Sequence, residues 1–282
     1  MKRYIALLLC LLCLCGCGGE TVTESGVAAT TAPVAQLACA IAEGTDVRIT
    51  GIISDSVSCL HDYSLTVRQM QTLEQSELLL ISGAGLEDFM EDVLPEEKTV
   101  DCSQGIALLQ QAHGEHSHPD PHIWLDPDNA AMMAQNICRA LSQTYPDHAE
   151  AFQANTDALL VDLAQLKAWG QSELSELTTN KIITFHDGFA YLAKAFGLEI
   201  LASVEEESGS EASAADLTEI IDLVREFKLP CVFTERNGSD AAASVISAET
   251  GVKVCALDTV MGGSDYFEAM KANITTLKEA LQ

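Results

Sequence analysis

Beyond its first 17 residues the chain has no CxxC pair, no HExxH or GxSxG motif, and no long apolar run. The first absence removes zinc-ribbon and thioredoxin-type sites, and the second removes two of the commonest hydrolase signatures. The third leaves the N-terminal segment alone to meet a membrane. Basic residues are scarce as well: 15 Lys and Arg stand against 42 Asp and Glu, a formal charge of -27. Nucleic acid is therefore not an expected partner, and the acidic surface favours solubility and draws cations toward it.

The N-terminus carries Lys2 and Arg3, an apolar run from Tyr4 to Leu14, and then Leu14-Cys15-Gly16-Cys17. This is the layout of an export signal, and its apolar run of about 11 residues is short of the roughly 20 that a spanning helix needs. Leu-Cys-Gly-Cys resembles the lipobox of bacterial lipoproteins, which implies removal of residues 1–16 and acylation of Cys17. Residues 17–31, rich in Gly, Ser, Thr and Ala, are expected to form a flexible tether. Removing residues 1–16 takes away two of the 15 basic residues and none of the 42 acidic ones, which leaves 13 against 42, a charge of -29. Cys39, Cys59, Cys102, Cys138, Cys231 and Cys255 remain, most of them inside apolar runs where a thiol acts as a small hydrophobe.

Beyond the tether the pattern divides into two halves that alternate strand and helix. Strand-like runs are expected near 26–30, 46–53, 77–82 and 97–101, then at 181–185, 198–203, 230–235 and 252–257. Thr66 followed by Gln69 has capping-box spacing and starts a helix. Between the halves, Phe152, Leu159, Leu163, Leu166, Leu174 and Leu177 recur at helical spacing, so residues 146–177 are expected to form one long helix, interrupted only by Gly170. The fold class is α/β: two parallel-sheet βα lobes, 32–145 and 178–282, joined by one long linker helix. Such a connection limits hinge bending, so motion around a ligand should be modest.

In parallel α/β sheets ligands sit at the carboxyl ends of strands. His61 follows the strand ending near Ile53, His122 opens His122-Ile123-Trp124-Leu125-Asp126-Pro127, His186 ends Ile182-Ile183-Thr184-Phe185, and Asp258 ends Val254-Cys255-Ala256-Leu257. Any one of them alone is more commonly a loop residue or a cap, but together they supply three imidazoles and a carboxylate. That donor set suits Zn²⁺ and neighbouring divalent ions and points away from Mg²⁺ and Ca²⁺. His148, among Pro146 and Asp147, is expected to be solvated. His113, His116 and His118 lie in one His- and acid-rich loop just before His122, a composition that suits auxiliary metal capture.

These residues resemble the zinc and manganese solute-binding proteins of bacterial ABC importers. The resemblance rests on His61-Asp62-Tyr63-Ser64-Leu65, His122-Ile123-Trp124-Leu125-Asp126-Pro127, Phe185-His186-Asp187-Gly188-Phe189 and Leu257-Asp258, with Gly83-Ala84-Gly85-Leu86-Glu87 and Glu249-Thr250-Gly251 in support. It implies one divalent metal held between the lobes by His61, His122, His186 and Asp258. His186 at the third position and the His-rich loop imply zinc ahead of manganese as cargo. The resemblance further implies a monomer that docks on an ABC permease driven by a cytoplasmic ATPase, anchored to the membrane outside the cell through Cys17, and no catalysis. Leu60, Gly188 and Thr259 depart from the family's common proline, alanine and proline. Readings of another class are a zinc-dependent hydrolase and a metal-stabilised adhesin.

Overall fold

The alternation of apolar runs resolves into two four-stranded parallel sheets. The computed structural model describes residues 26–53, 63–113, 116–205 and 213–282; Cys17, Cys59 and His61 lie outside them. The first lobe contains β1 (Val27–Ala29), α1 (Ala32–Ala42), β2 (Ile49–Gly51), α2 (Val67–Gln75), β3 (Leu78–Ile81) and β4 (Thr99–Asp101), with sheet order β2-β1-β3-β4. A hairpin of β5 (Gln110–His113) and β6 (His116–Pro119) follows, then α3 (Pro127–Thr144) and α4 (Ala149–Glu173). The second lobe runs β7 (Lys181–His186), α5 (Ala190–Phe196), β8 (Glu199–Glu205), α6 (Ala214–Phe227), β9 (Cys231–Glu235), α7 (Ala241–Thr250), β10 (Lys253–Leu257) and α8 (Tyr266–Leu281), with sheet order β10-β9-β7-β8.

Strands buried on both faces read as continuous apolar runs, and the second sheet shows why. In β9, Cys231 and Phe233 face the large core while Val232 faces a smaller one with Ile220, Val224 and Ile246 of α6 and α7. The larger core is shared: Val27, Leu79 and Trp124 of the first half belong to the same cluster as Tyr191, Leu257 and Ile274 of the second.

Local signals in the first lobe have clear physical outcomes. Thr66 Oγ1 accepts from the Gln69 N–H, and Gln69 Oε1 accepts from the Thr66 N–H, closing the capping box that the sequence suggested. Gln69 Nε2 also donates to Ile52 O and Tyr63 Oη, both at 2.7 Å, so one amide fastens the chain on either side of the segment that carries His61. After β3, Gly83, Ala84 and Gly85 all take positive φ. This turn aims the Ser82 and Gly83 N–H groups at the buried Glu87 carboxylate, which also accepts from Thr30 Oγ1. Burial pushes the Glu87 carboxyl up to about 7 against those three donors. Gly83 is required twice over, since a Cβ there would stand 1.8 Å from Asp101 Oδ1.

Three boundaries differ from expectation. Val27–Ala29 pair with both β2 and β3, and Thr30 and Thr31 are fully buried, so the stretch expected as tether overlaps the sheet and only residues before it remain for that role. The long helix begins as a 3-10 turn at Pro146–His148 and ends at Glu173, because residues 174–176 turn to bring Thr178 N to Leu281 O of α8. The His-rich stretch, expected as a loop, is an antiparallel hairpin with His113 opposite His116 and Gln111 opposite His118. It lacks the apolar alternation that marks most strands. Expected to be solvated, His148 is half-buried and meets Asp46 Oδ1 at 2.7 Å. Cys39, Cys102, Cys138, Cys231 and Cys255 are free thiols, and three of them are buried. Among the described residues no helix is long and apolar enough to cross a membrane.

α4 packs against α1 and α3 on one side and α5 and α8 on the other. Gly170 permits the second contact: a Cβ there would stand 2.5 Å from Phe196 Cε1 and 2.7 Å from Ile274 Cδ1. Helix propensity favours alanine over glycine by about 1 kcal/mol, but overpacking a core costs roughly 1–3 kcal/mol. Gly170→Ala is therefore expected to lower the thermal midpoint of the empty protein by several degrees; an unchanged or higher midpoint in a calorimetric scan would show that Phe196 and Ile274 yield freely.

Candidate metal centre

The residues that come together do so because two short turns follow two well-packed elements. His122 ends the hairpin segment and starts a 3-10 turn, Ile123–Leu125, whose three side chains are buried. Asp126 then caps α3 by accepting from the Asp128 N–H, with Pro127 at the first helical position. Lys167 of α4 reaches back to Asp126 at 3.0 Å and to Asp128, fixing this helix start to the linker. Trp124 is fully buried; its Nε1 donates to Thr259 O at 2.8 Å, and its carbonyl accepts from Tyr266 Oη at 2.9 Å. The turn that carries His122 is thus pinned to the second lobe.

Asp120 gives His122 its orientation. This fully buried carboxylate accepts from the His122 N–H at 2.9 Å and meets Nδ1 at 3.0 Å through the same oxygen. With that carboxylate oxygen as its acceptor, Nδ1 carries the proton, and Nε2 is left with a lone pair pointing away from Asp120.

That lone pair faces the other lobe. His186 ends β7, and its Nε2 stands 3.1 Å from His122 Nε2, with the ring planes at 83°. Both residues are buried, 3 % and 8 % exposed. Phe189 stands edge-on to the His186 ring, and Asp187 Oδ1 lies 3.5 Å from its Nδ1. Burial, and then the neighbouring His122, push the His186 imidazole down to about 3. The hairpin is fastened to this point at its base: Gln111 Nε2 donates to Asp187 O, Asp120 N to Leu109 O, and Leu109 N to Tyr191 Oη, each at 2.9 Å.

Asp258 stands apart from this pair. Asp258 is buried at the end of β10, where Oδ1 accepts from Val260 N at 2.7 Å and Oδ2 from Ser264 Oγ at 2.8 Å, with Arg236 Nε at 3.4 Å. Among the described residues no three His, Cys, Asp or Glu side chains gather closely enough to hold an ion, so Asp258 does not join His122 and His186 in this arrangement. His61 lies outside the described residues. His118 is exposed on the hairpin. Sequence reasoning missed Asp120 as a partner of His122; the signal was the carboxylate two residues ahead in Asp120-Pro121-His122.

Residues 27–280 match the family model described as ZnuA, zinc-uptake complex component A, periplasmic. The chain belongs to the ZnuA family. It is 27 % identical over 308 residues to the zinc-binding lipoprotein AdcA of Streptococcus pneumoniae, covering 99 % of this chain and 61 % of that protein. It is 26 % identical over 231 residues to the manganese-binding lipoprotein MntA of Halalkalibacterium halodurans, covering 78 % and 77 %. A crystal structure of ZnuA superposes with a TM-score of 0.82 at 28 % identity, over 92 % of this chain and all of that one. The two-lobed fold expected from the sequence is therefore that of the ZnuA family.

His186 links this centre to stability. Its ordinary value is 6.5, so below that pH the unfolded chain takes up a proton that the buried imidazole refuses until about pH 3. Stability of the empty protein from this group is full above pH 6.5 and declines as pH falls, by about 2 kcal/mol at pH 5. Denaturant titrations at pH 7.5 and 5 should show this loss, reduced in His186→Gln; parallel profiles for both proteins would mean His186 is not held neutral.

Proposed function

We propose that the chain captures a divalent transition metal outside the cytoplasm, zinc ahead of manganese, and hands it to an ABC permease. The observation that carries this reading is the meeting of His122 and His186, one from each half, Nε2 to Nε2 at 3.1 Å, with Asp120 fixing the first ring. Two nitrogens bound to one tetrahedral zinc at ordinary bond lengths stand about 3.3 Å apart. The rings thus need to part by only a few tenths of an ångström to admit the ion. Buried neutral imidazoles suit zinc more than the oxygen-seeking cations.

His61 and Asp258 supply the remaining protein ligands in this reading. Asp258 joins by exchanging the Ser264 hydroxyl for the ion. The His113, His116 and His118 hairpin, fastened beside Asp187, serves as an auxiliary surface that raises the local concentration of metal. Cys17, once acylated, holds the protein at the membrane as a monomer, and the cytoplasmic ATPase behind the permease drives import. The chain spans 61 % of the length of the AdcA protein it matches, so AdcA's binding of zinc supports this reading for the shared part. No bond is made or broken in the cargo's passage, and no catalytic residue is assigned.

Chelated protein reloaded with equal zinc and manganese is expected to retain one zinc per chain, measured by elemental analysis. His186→Ala should abolish or greatly weaken that retention; retained manganese would reverse the cargo, and no stoichiometric metal would refute the site. Asp120→Ala is expected to weaken zinc binding by about 10- to 100-fold while the protein remains folded, through loss of ring orientation. Unchanged affinity in a competitive-chelator titration would remove Asp120 from the site.

A further inference from the structure

Gly188 stands where the two imidazoles converge. It is buried in the 3-10 turn Asp187–Phe189 that follows His186. A Cβ built on it would lie 2.6 Å from His186 Nε2 and 2.8 Å from both Nε2 and Cε1 of His122, closer than real Cβ contacts come. Backbone conformation does not demand glycine here, since Gly188 is not among the glycines with positive φ. Space is what the glycine supplies. The rings on either side have little freedom to retreat: His122 is tied through its backbone and Nδ1 to Asp120, and His186 is buried against Phe189.

The position of that missing methyl carries chemical meaning. Two ligand atoms cis to each other on an ion, with bonds of about 2.0–2.2 Å, stand about 3 Å apart. The space above Gly188 lies 2.6 and 2.8 Å from the two Nε2 atoms at once, close to the separation that a third ligand cis to both imidazoles would keep. We propose that Gly188 keeps this position open for a solvent ligand on the captured ion, and is thereby a specificity-determining residue. It favours ions that take five or six ligands, Mn²⁺ among them, relative to what the same imidazoles would hold around an alanine. A larger first shell relaxes the discrimination that a closed four-coordinate site imposes, and His122 and His186 then set affinity while Gly188 sets tolerance. The inference rests on the reading of those two histidines as metal ligands.

The test uses Co²⁺ as a spectroscopic probe of coordination number, together with Zn²⁺ and Mn²⁺ competition, on the mature chain and on Gly188→Ala. The wild type loaded with Co²⁺ is expected to show the weak visible bands of a five- or six-coordinate ion, and the variant the intense bands of a four-coordinate one. Mn²⁺ affinity should fall in the variant by about tenfold more than Zn²⁺ affinity. Intense four-coordinate bands already in the wild type, or an identical spectrum and Zn²⁺:Mn²⁺ ratio in both proteins, would overturn the proposal. If the variant does not fold, the wild-type Co²⁺ spectrum and the water-proton relaxation of the Mn²⁺-loaded wild type decide it: an exchangeable inner-sphere water supports the proposal and its absence refutes it. Failure of the underlying site looks different, as wild-type Co²⁺ binding that is absent or undiminished in His122→Ala, and it would take the proposal down with it.

Discussion

Two ring nitrogens 3.1 Å apart, each carried by a different sheet-and-helix unit, impose a tolerance of tenths of an ångström on everything behind them. No single contact could hold such a distance. Lys167 ties the linker helix to the start of α3, Trp124 donates to Thr259 O and accepts from Tyr266 Oη across the halves, and Gln36 of α1 both donates to Ser264 O and accepts from Tyr266 N. Gly170 lets α4 press against Phe196 and Ile274 with no side chain between. Small residues and polar side chains that bond to backbone recur at these crossings because they fix distance, whereas apolar packing alone fixes only proximity.

Electrostatics divides along the same line. The outer surface carries most of a large acidic excess, which favours the approach of cations in general. The candidate centre is instead built from buried imidazoles, and burial keeps His186 neutral well below its ordinary range. Attraction is left to the surface and selection to the interior. Asp258, also buried, is held at the end of β10 by Val260, Ser264 and Arg236.

Much of this was legible in the sequence, for reasons that can be named. Buried parallel strands such as Leu78–Ile81 and Cys231–Glu235 write themselves as unbroken apolar runs, and Thr66 with Gln69 states a helix start chemically. The Gly83-Ala84-Gly85-Leu86-Glu87 stretch was recognisable as a pattern, but its purpose, a turn of N–H groups around one carboxylate, needed coordinates. The hairpin was hidden because polar strands outside a core carry no period-two signal. Asp120 was hidden because a carboxylate behind a histidine is a relation in space, and Gly188 because the meaning of an absent side chain depends on what lies across from it. The tether was drawn too long because small residues such as Ala28 and Ala29 suit both a loose linker and a tightly enclosed central strand.

The core that joins Val27 and Leu79 to Leu257 and Ile274 is a single apolar body crossed by the linker helix. Its integrity rests on buried apolar surface, whether or not anything sits between the imidazoles. The folded core is then the same object whether the candidate centre is empty or filled. In the proposed role, uptake and release turn on ligand exchange at a few polar atoms, with no refolding between them.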